Sequence, residues 1–167
     1  MQVEYIWIDG NDEAPCLRGK TKEVYISSLG FPELKNIPDW NFDGGSTGQG
    51  DLEDSDTILK PCSLYPDPFV LGGVIALCEV YNSDGTAHRS NHRSTLKVTE
   101  QSIPEDSKPW FGFEQEYTLL GLTGVPVAFE GKYPSPQGPY YCGVGSNKVV
   151  GRDIAMQHLQ ACKDASI

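Results

Sequence analysis

Apolar and polar residues alternate along several short segments in the first part of the chain, which is the pattern of half-buried β-strands. The predicted strands lie at residues 3–9, 17–26, 57–61 and 74–81. Turn-forming residues separate these strands, residues 40–42 lead into a glycine-rich turn, and no helical period occurs before Gly85. The pattern therefore predicts a small, mostly β domain over residues 1–85.

Residues 109–120, which read PWFGFEQEYTLL, have the apolar and aromatic composition of a further strand. On a strand, Glu114 and Glu116 would share one face, with their backbones about 6.6 Å apart at roughly 3.3 Å per residue. Two such carboxylates repel each other unless a cation lies between them, and oxygen ligands suit Mg²⁺ or Mn²⁺. Taken alone, these residues favour a simpler interpretation, a strand whose polar side faces water.

The other segments of the second half predict an incomplete unit. Proline and glycine residues over 131–145 indicate an irregular loop, and residues 153–165 have helical spacing and form the only good helix that the pattern shows. One strand, one loop and one helix cannot bury their apolar faces alone. We therefore predict a polar linker, or the start of a second domain, at residues 86–108 and an incomplete domain at 109–167.

Composition narrows the range of functions. The formal net charge of -10 argues against a nucleic-acid partner, and no apolar run approaches the roughly 20 residues of a membrane span. The N-terminus lacks the features of a secretory signal. The five cysteines are an odd number without a Cys-x-x-Cys pair, which is typical of reduced thiols. We expect a cytoplasmic protein.

Three local patterns have both a chemical and a structural interpretation. Residues 40–50 place an acid and two hydroxyls on a flexible turn, but the lysine of a phosphate-binding loop is missing. His88 and His92 have the spacing of zinc ligands on a helix, whereas the neighbouring arginines repel a cation. Residues 142–145 match part of a dinucleotide fingerprint without its third glycine. Each pattern alone favours the structural interpretation.

Together, several motifs carry a family resemblance. Residues 40–49 (WNFDGGSTGQ) and 53–61 (EDSDTILKP) resemble the N-terminal signature of the glutamine synthetase family, in its shorter-chain type found in eukaryotes and some bacteria. Residues 109–117 (PWFGFEQEY) resemble that family's metal-binding strand. Residues 136–145, followed by 151–154, are similar to its next motif. The motifs follow the family's order and cover nearly the whole chain.

The resemblance implies ATP-dependent ligation of L-glutamate and ammonium to glutamine through a γ-glutamyl phosphate, with Mg²⁺ or Mn²⁺ as the metal. The resemblance implies that Asp43 binds ammonium and accepts its proton, and that Ser46 and Asp56 support this binding. It also implies that Trp110 contacts the adenine of ATP. Glu114 and Glu116 would bind the metal, and Glu114 would also bind substrate. A carboxylate suits the ammonium role because it attracts the cation and grows more basic in a dry site.

The implied fold class is α+β, with a small β-grasp-like N-terminal domain followed by the truncated start of an α+β catalytic domain. The implied assembly is two stacked pentamers, in which the loop at Asp43 reaches into the active site of the neighbouring subunit. One departure is Gly45, where the family usually has serine, so we expect weaker positioning of ammonium.

The chain stops at Ile167, whereas family members continue for about as many residues again. The remaining metal ligands and the arginines for glutamate and phosphate are expected in that second half, so we expect this chain alone to be inactive. Two alternatives to a portion of the working enzyme are a short, non-catalytic relative with an interaction or regulatory role and another Mg²⁺-dependent phosphotransferase.

Overall fold

The chain forms two compact units, and each is described by itself. The computed structural model describes residues 1–27, 30–51, 55–127, 129, 141–145 and 148–167. The first unit comprises Met1–Ser107 with Asp164–Ile167, and the second comprises Lys108–Lys163. The domain bounds derived from the sequence stay a prediction.

The first unit is built on one mixed five-stranded sheet. Its strands are β1 (Gln2–Ile8), β2 (Leu17–Glu23), β3 (Trp40–Asp43), β4 (Asp56–Pro66) and β5 (Val74–Asn82). Their order is β2-β1-β5-β4-β3, and only the β1–β5 pair is parallel. The same unit holds the α-helix α1 (His92–Glu100) and the 3-10 helices Leu34–Asn36, Gly44–Thr47 and Glu105–Ser107. The α-helix α2 (Arg152–Asp164) lies in the second unit except for its last residue. The α+β class is confirmed, and the sheet is compatible with the β-grasp-like domain.

The core lies on one face of this sheet, as the alternation in β1 predicts. Val3, Tyr5 and Trp7 are buried, and each such side chain contributes about 1.5–3 kcal/mol by leaving water. The Tyr5 hydroxyl donates to the carbonyl oxygen of Pro38 at 2.8 Å, so its polar atom keeps a partner. Trp7 packs on Phe42 with ring centroids 4.7 Å apart. This contact joins β1 to β3, the strand that ends at the candidate site.

Helix α1 was not predicted, and the expectation of one good helix in the chain is therefore wrong. Its large apolar side chains are Leu96 and Val98, which lie two positions apart and therefore show no three- or four-residue apolar period. Its start depends on Asn91, whose side chain accepts from the amide of Ser94 at 3.1 Å and donates to the carbonyl of Val80 at 3.0 Å. The cap thus starts the helix and ties it to β5.

The strand predicted at residues 109–120 is also wrong. Residues 109–119 form no strand, and within the described ranges the only pairing of this segment is an isolated bridge between Leu120 and Pro126. A strand exists through hydrogen bonds to a neighbour. Within the described residues, the backbone of 109–119 is paired only at Leu119, whose carbonyl accepts from the amide of Val127 at 2.9 Å. Aromatic and β-branched residues show that a segment is suited to a half-buried sheet, but they do not show that a neighbouring strand is present to pair with it.

The helix predicted at 153–165 is confirmed as α2, within one residue at each end. The loop predicted at 131–145 lies outside the described residues over 131–140. None of the helices in the described part of the chain is both long and apolar enough to cross a membrane.

A close approach of two glycines closes the end of the sheet near the candidate site. The amide of Gly10 donates to the carbonyl of Thr47 at 2.8 Å, and a Cβ on Gly10 would lie 2.2 Å from the backbone oxygen of Gly48. Only a residue without a side chain allows this contact. Gly112, in contrast, has no atom within 4 Å of its would-be Cβ.

We therefore predict that Gly10→Ala lowers the free energy of unfolding of the first unit by about 2 kcal/mol, as overpacking against backbone does. Gly112→Ala is the matched control and should change that free energy by less than about 0.5 kcal/mol. Urea unfolding followed by tryptophan fluorescence, to which the buried Trp7 contributes, measures both. Equal midpoints for the two variants would contradict the close approach.

Candidate functional site

The candidate site lies where β3 ends beside the start of β4. Asp43 is the last residue of β3 and Asp56 the first of β4, and the antiparallel register pairs them directly. Directly opposite residues place their side chains on the same face, with Cβ atoms about 4.5–5.5 Å apart. Both side chains are exposed. Two like charges in this arrangement are mutually destabilising and attract a cation.

The loop after Asp43 is a single 3-10 turn, Gly44–Thr47, that Asp43 itself caps. The Asp43 carboxylate accepts from the amide of Gly45 at 3.0 Å, and the Ser46 hydroxyl donates to the Asp43 carbonyl at 3.1 Å. The structure thus brings together Asp43, Ser46 and Asp56, the three residues that the resemblance assigns to ammonium. Their chemical role stays a prediction.

Gly45 is not required by the backbone of this turn. It has no positive φ, and a Cβ would meet only the Asp43 carboxylate at 3.2 Å and the Ser55 Cβ at 4.0 Å. A serine would therefore need a shift of a few tenths of an ångström in one exposed side chain. The fold accepts the family's usual residue here, so its absence is not a steric necessity.

Two polar side chains that the sequence interpretation missed fix this loop. Gln49 is buried, and Arg89 donates to both carboxylate oxygens of Asp12 at 2.6 and 2.7 Å. The same guanidinium donates to the carbonyls of Gly10 at 3.2 Å and Gly48 at 3.3 Å. Gln49 closes the motif at residues 40–49, but its burial follows from tertiary contacts that no local pattern shows.

A polar cavity of about 440 Å³ adjoins Asp56, one member of the carboxylate pair. Asp56, Gln49, Asp84, His88 and Arg89 are among its lining residues. Hydrogen bonds from Thr86, first from its hydroxyl and then from its amide, hold the pKa of Asp84 below its ordinary value. Burial, and then the charge of Arg89, lower the pKa of His88. These surroundings therefore favour the charged form of Asp84 and disfavour a positive charge on His88.

Comparison with known proteins identifies the relatives. No family model matches the chain. Glutamine synthetase of Tuber borchii is 48% identical over 99% of this chain and 45% of its own length. Glutamine synthetase 1, mitochondrial, of Drosophila melanogaster and glutamine synthetase of Xenopus laevis are each 44% identical over the whole chain, and 41% and 42% of their own lengths are covered. The chain is related to the glutamine synthetases. It matches roughly their N-terminal part and spans less than half the length of these curated relatives.

The residues that the glutamine synthetase resemblance assigns to nucleotide and metal lie in the second unit. Trp110 is 96% exposed, and Glu114 and Glu116 are exposed on the segment that forms no strand. Their carboxylate oxygens have the right chemistry for a hard divalent cation. Within the described ranges, no group of three or more histidine, cysteine, aspartate or glutamate side chains is gathered for a metal. The strand on which the two glutamates were expected to share a face is not present, and their shared face stays a prediction.

His88 and His92 do not share a helix face, because His88 precedes α1 and His92 is its first residue. The Nδ1 atom of His88 accepts from the amide of Ser90 at 3.1 Å and lies 2.9 Å from the Ser90 hydroxyl. Since a backbone amide always donates, Nδ1 must be the unprotonated nitrogen. The neutral ring thus carries its proton on Nε2.

The lowered pKa of His88 predicts how the free energy of unfolding changes with pH. Below its ordinary pKa of about 6.5, the unfolded chain binds a proton that the folded chain resists, so the free energy of unfolding falls as the pH drops. An asparagine in place of His88 would still accept from the amide of Ser90 through an Asx turn, and it does not titrate. We predict that His88→Asn loses less stability between pH 7.5 and 5.5 than the wild type.

The control is His92→Asn, which removes an exposed histidine and should keep the wild-type slope. Urea unfolding at several pH values measures the three proteins. If His88→Asn and the wild type lose stability in parallel, then His88 is not held neutral by its surroundings.

Proposed function

We propose that this chain supplies the ammonium-binding part of a glutamine synthetase, which ligates L-glutamate and ammonia with ATP. The observation that carries the proposal is the direct cross-strand pairing of Asp43 with Asp56 beside the capped turn that holds Ser46. A monovalent cation offsets the repulsion of such a pair, and ammonium also supplies hydrogen-bond donors for the carboxylate oxygens.

The reaction gives each of these groups a task. A γ-carboxylate oxygen of glutamate attacks the terminal phosphorus of ATP, ADP leaves, and γ-glutamyl phosphate forms. Asp43 binds ammonium and accepts its proton, and the resulting ammonia attacks the acyl carbon. The C–O bond to phosphate breaks, and the nitrogen passes its second proton to the leaving phosphate, so that the amide and hydrogen phosphate form. Ser46 and Asp56 keep the ion beside Asp43. A positioned carboxylate acts here as a general base.

The second unit supplies groups for the other substrate. In this proposal Glu114 and Glu116 hold Mg²⁺ or Mn²⁺, Glu114 also contacts the substrate, and Trp110 lies beside the adenine of ATP. A bound divalent cation neutralises phosphate charge during phosphoryl transfer. The support is the donor chemistry of these side chains and their place in the motif at residues 109–117, since two carboxylates provide only part of a six-coordinate site.

The assembly and location are part of the same proposal. We expect two stacked rings of five subunits with active sites shared between neighbours, and a cytoplasmic location. All five cysteines are free thiols, as is usual in a reducing compartment. The relative from Drosophila melanogaster is named as mitochondrial, so cell fractionation with an antibody to this chain is the test of location.

A chimera tests the function directly. This chain would replace the matching N-terminal part of the Tuber borchii enzyme, with which it aligns over 168 residues. We predict ATP-dependent glutamine formation by the chimera. Asp43→Ala should then reduce glutamine formation about 100-fold or more, as loss of a positioned base does, while glutamate-dependent ADP formation in a single turnover falls far less.

Glu116→Ala is the matched variant, because loss of a metal ligand should abolish both partial reactions. Mass measurements of each assembly control for failure to assemble. An assembled chimera without activity would contradict the proposed function and favour a short, non-catalytic relative. Equal loss of both partial reactions in Asp43→Ala would contradict the ammonium role.

A further inference from the structure

The side chain of Gln49 is only 3% exposed, yet each of its polar atoms has a partner. Its Oε1 accepts from the indole Nε1 of Trp7 at 3.2 Å. Its Nε2 donates to the carbonyl of Ile8 at 3.0 Å and to the hydroxyl of Ser90 at 2.8 Å. One amide therefore joins the loop at residues 43–50 to the end of β1 and to the turn before α1.

Each hydrogen bond of the Gln49 side-chain amide has a fixed donor and a fixed acceptor. Because the Ser90 hydroxyl accepts from Gln49, its own proton is free to be donated to Nδ1 of His88 at 2.9 Å. The indole of Trp7 can only donate, and the carbonyl of Ile8 can only accept. A side chain at position 49 must therefore present an acceptor on one side and two donor protons on the other. Among side chains of this length, only glutamine does so.

The backbone transmits the position of Gln49 to Asp43. The amide of Gln49 donates to the carbonyl of Gly44 at 2.8 Å. A Cβ on Gly44 would lie 2.7 Å from the backbone carbon of Gln49, so the two residues touch without free space. Gly44 directly follows Asp43 and donates to the carbonyl of Ser55 at 2.7 Å, next to Asp56. A displaced Gln49 thus moves both members of the carboxylate pair.

We propose that Gln49 is a positioning residue for ammonium, acting through Gly44 on the Asp43–Asp56 pair. The inference rests on the proposed function. Gln49 itself touches no substrate. Its amide sets the separation and direction of the two carboxylates, and hence the affinity for the small cation, without changing the second unit where glutamate and ATP are expected.

Gln49→Met tests this inference in the chimera, because methionine fills the space and makes none of the three hydrogen bonds. We predict that the KM for ammonium rises about tenfold, which corresponds to about 1.4 kcal/mol, while the KM values for glutamate and ATP stay within about twofold. Gln101→Met is the matched control, since Gln101 is exposed after the end of α1, and it should leave all three values unchanged.

Gln49→Glu adds a second measurement, the pH dependence of kcat/KM for ammonium, which a purely structural role of Gln49 would not change. An ionised glutamate in place of Gln49 faces the Ile8 carbonyl with a second acceptor, and burial raises the pKa of such a carboxyl. The protonated form of the new side chain can donate to that carbonyl again. The kcat/KM for ammonium, relative to the wild-type chimera at the same pH, should therefore recover as the pH falls from 8 to 6.

The outcomes separate the two proposals. Equal increases in the three KM values for Gln49→Met, or a flat pH ratio for Gln49→Glu, overturn the positioning role while the activity of the unmutated chimera upholds the proposed function. An inactive chimera overturns the proposed function. In that case amide exchange on the 167-residue chain tests the coupling: Gln49→Met should weaken the protection of the Gly45 amide, which bonds to Asp43, and unchanged protection overturns the inference.

Discussion

The buried side-chain amide of Gln49 sets the geometry of this end of the sheet, because each of its polar atoms needs a hydrogen-bond partner. An unpaired polar group in this position would cost about 1–3 kcal/mol, so Gln49 keeps Trp7, Ile8 and Ser90 at fixed distances. The contact between Gly10 and Gly48 removes the remaining free space. The turn after β3 is therefore held by the glycine contact and by the hydrogen bonds of Gln49, although its own residues are largely exposed.

The carboxylate pair at the same place works against stability. The fold brings Asp43 and Asp56 into direct register at the cost of mutual repulsion, where an uncharged pair would be more stable. Departures of this kind from local rules are expected at functional sites. The capped turn and the paired carboxylates are complementary, because a cation binds more tightly to carboxylates whose backbones are already held in place.

The sequence predicted the strands whose alternation reports a buried face, β1 above all, since Val3, Tyr5 and Trp7 point to the core. It missed α1, because the two large apolar residues of that helix, Leu96 and Val98, do not recur at helical spacing. It wrongly made residues 109–120 a strand, because composition cannot supply a pairing partner. The motif indicated Asp43 and Asp56 separately, but their pairing is a matter of long-range register, and the buried role of Gln49 depends on contacts far along the chain.

The most direct test is a double-mutant cycle on the 167-residue chain, with Asp43→Asn, Asp56→Asn and the double variant. Asparagine keeps the cap on Gly45, so the cycle isolates the charges. Unfolding free energies in tetramethylammonium chloride should give a repulsive coupling of about 0.5 kcal/mol, and ammonium chloride at the same ionic strength should remove it. The same coupling in both salts, or none in either, would contradict an ammonium site at this pair.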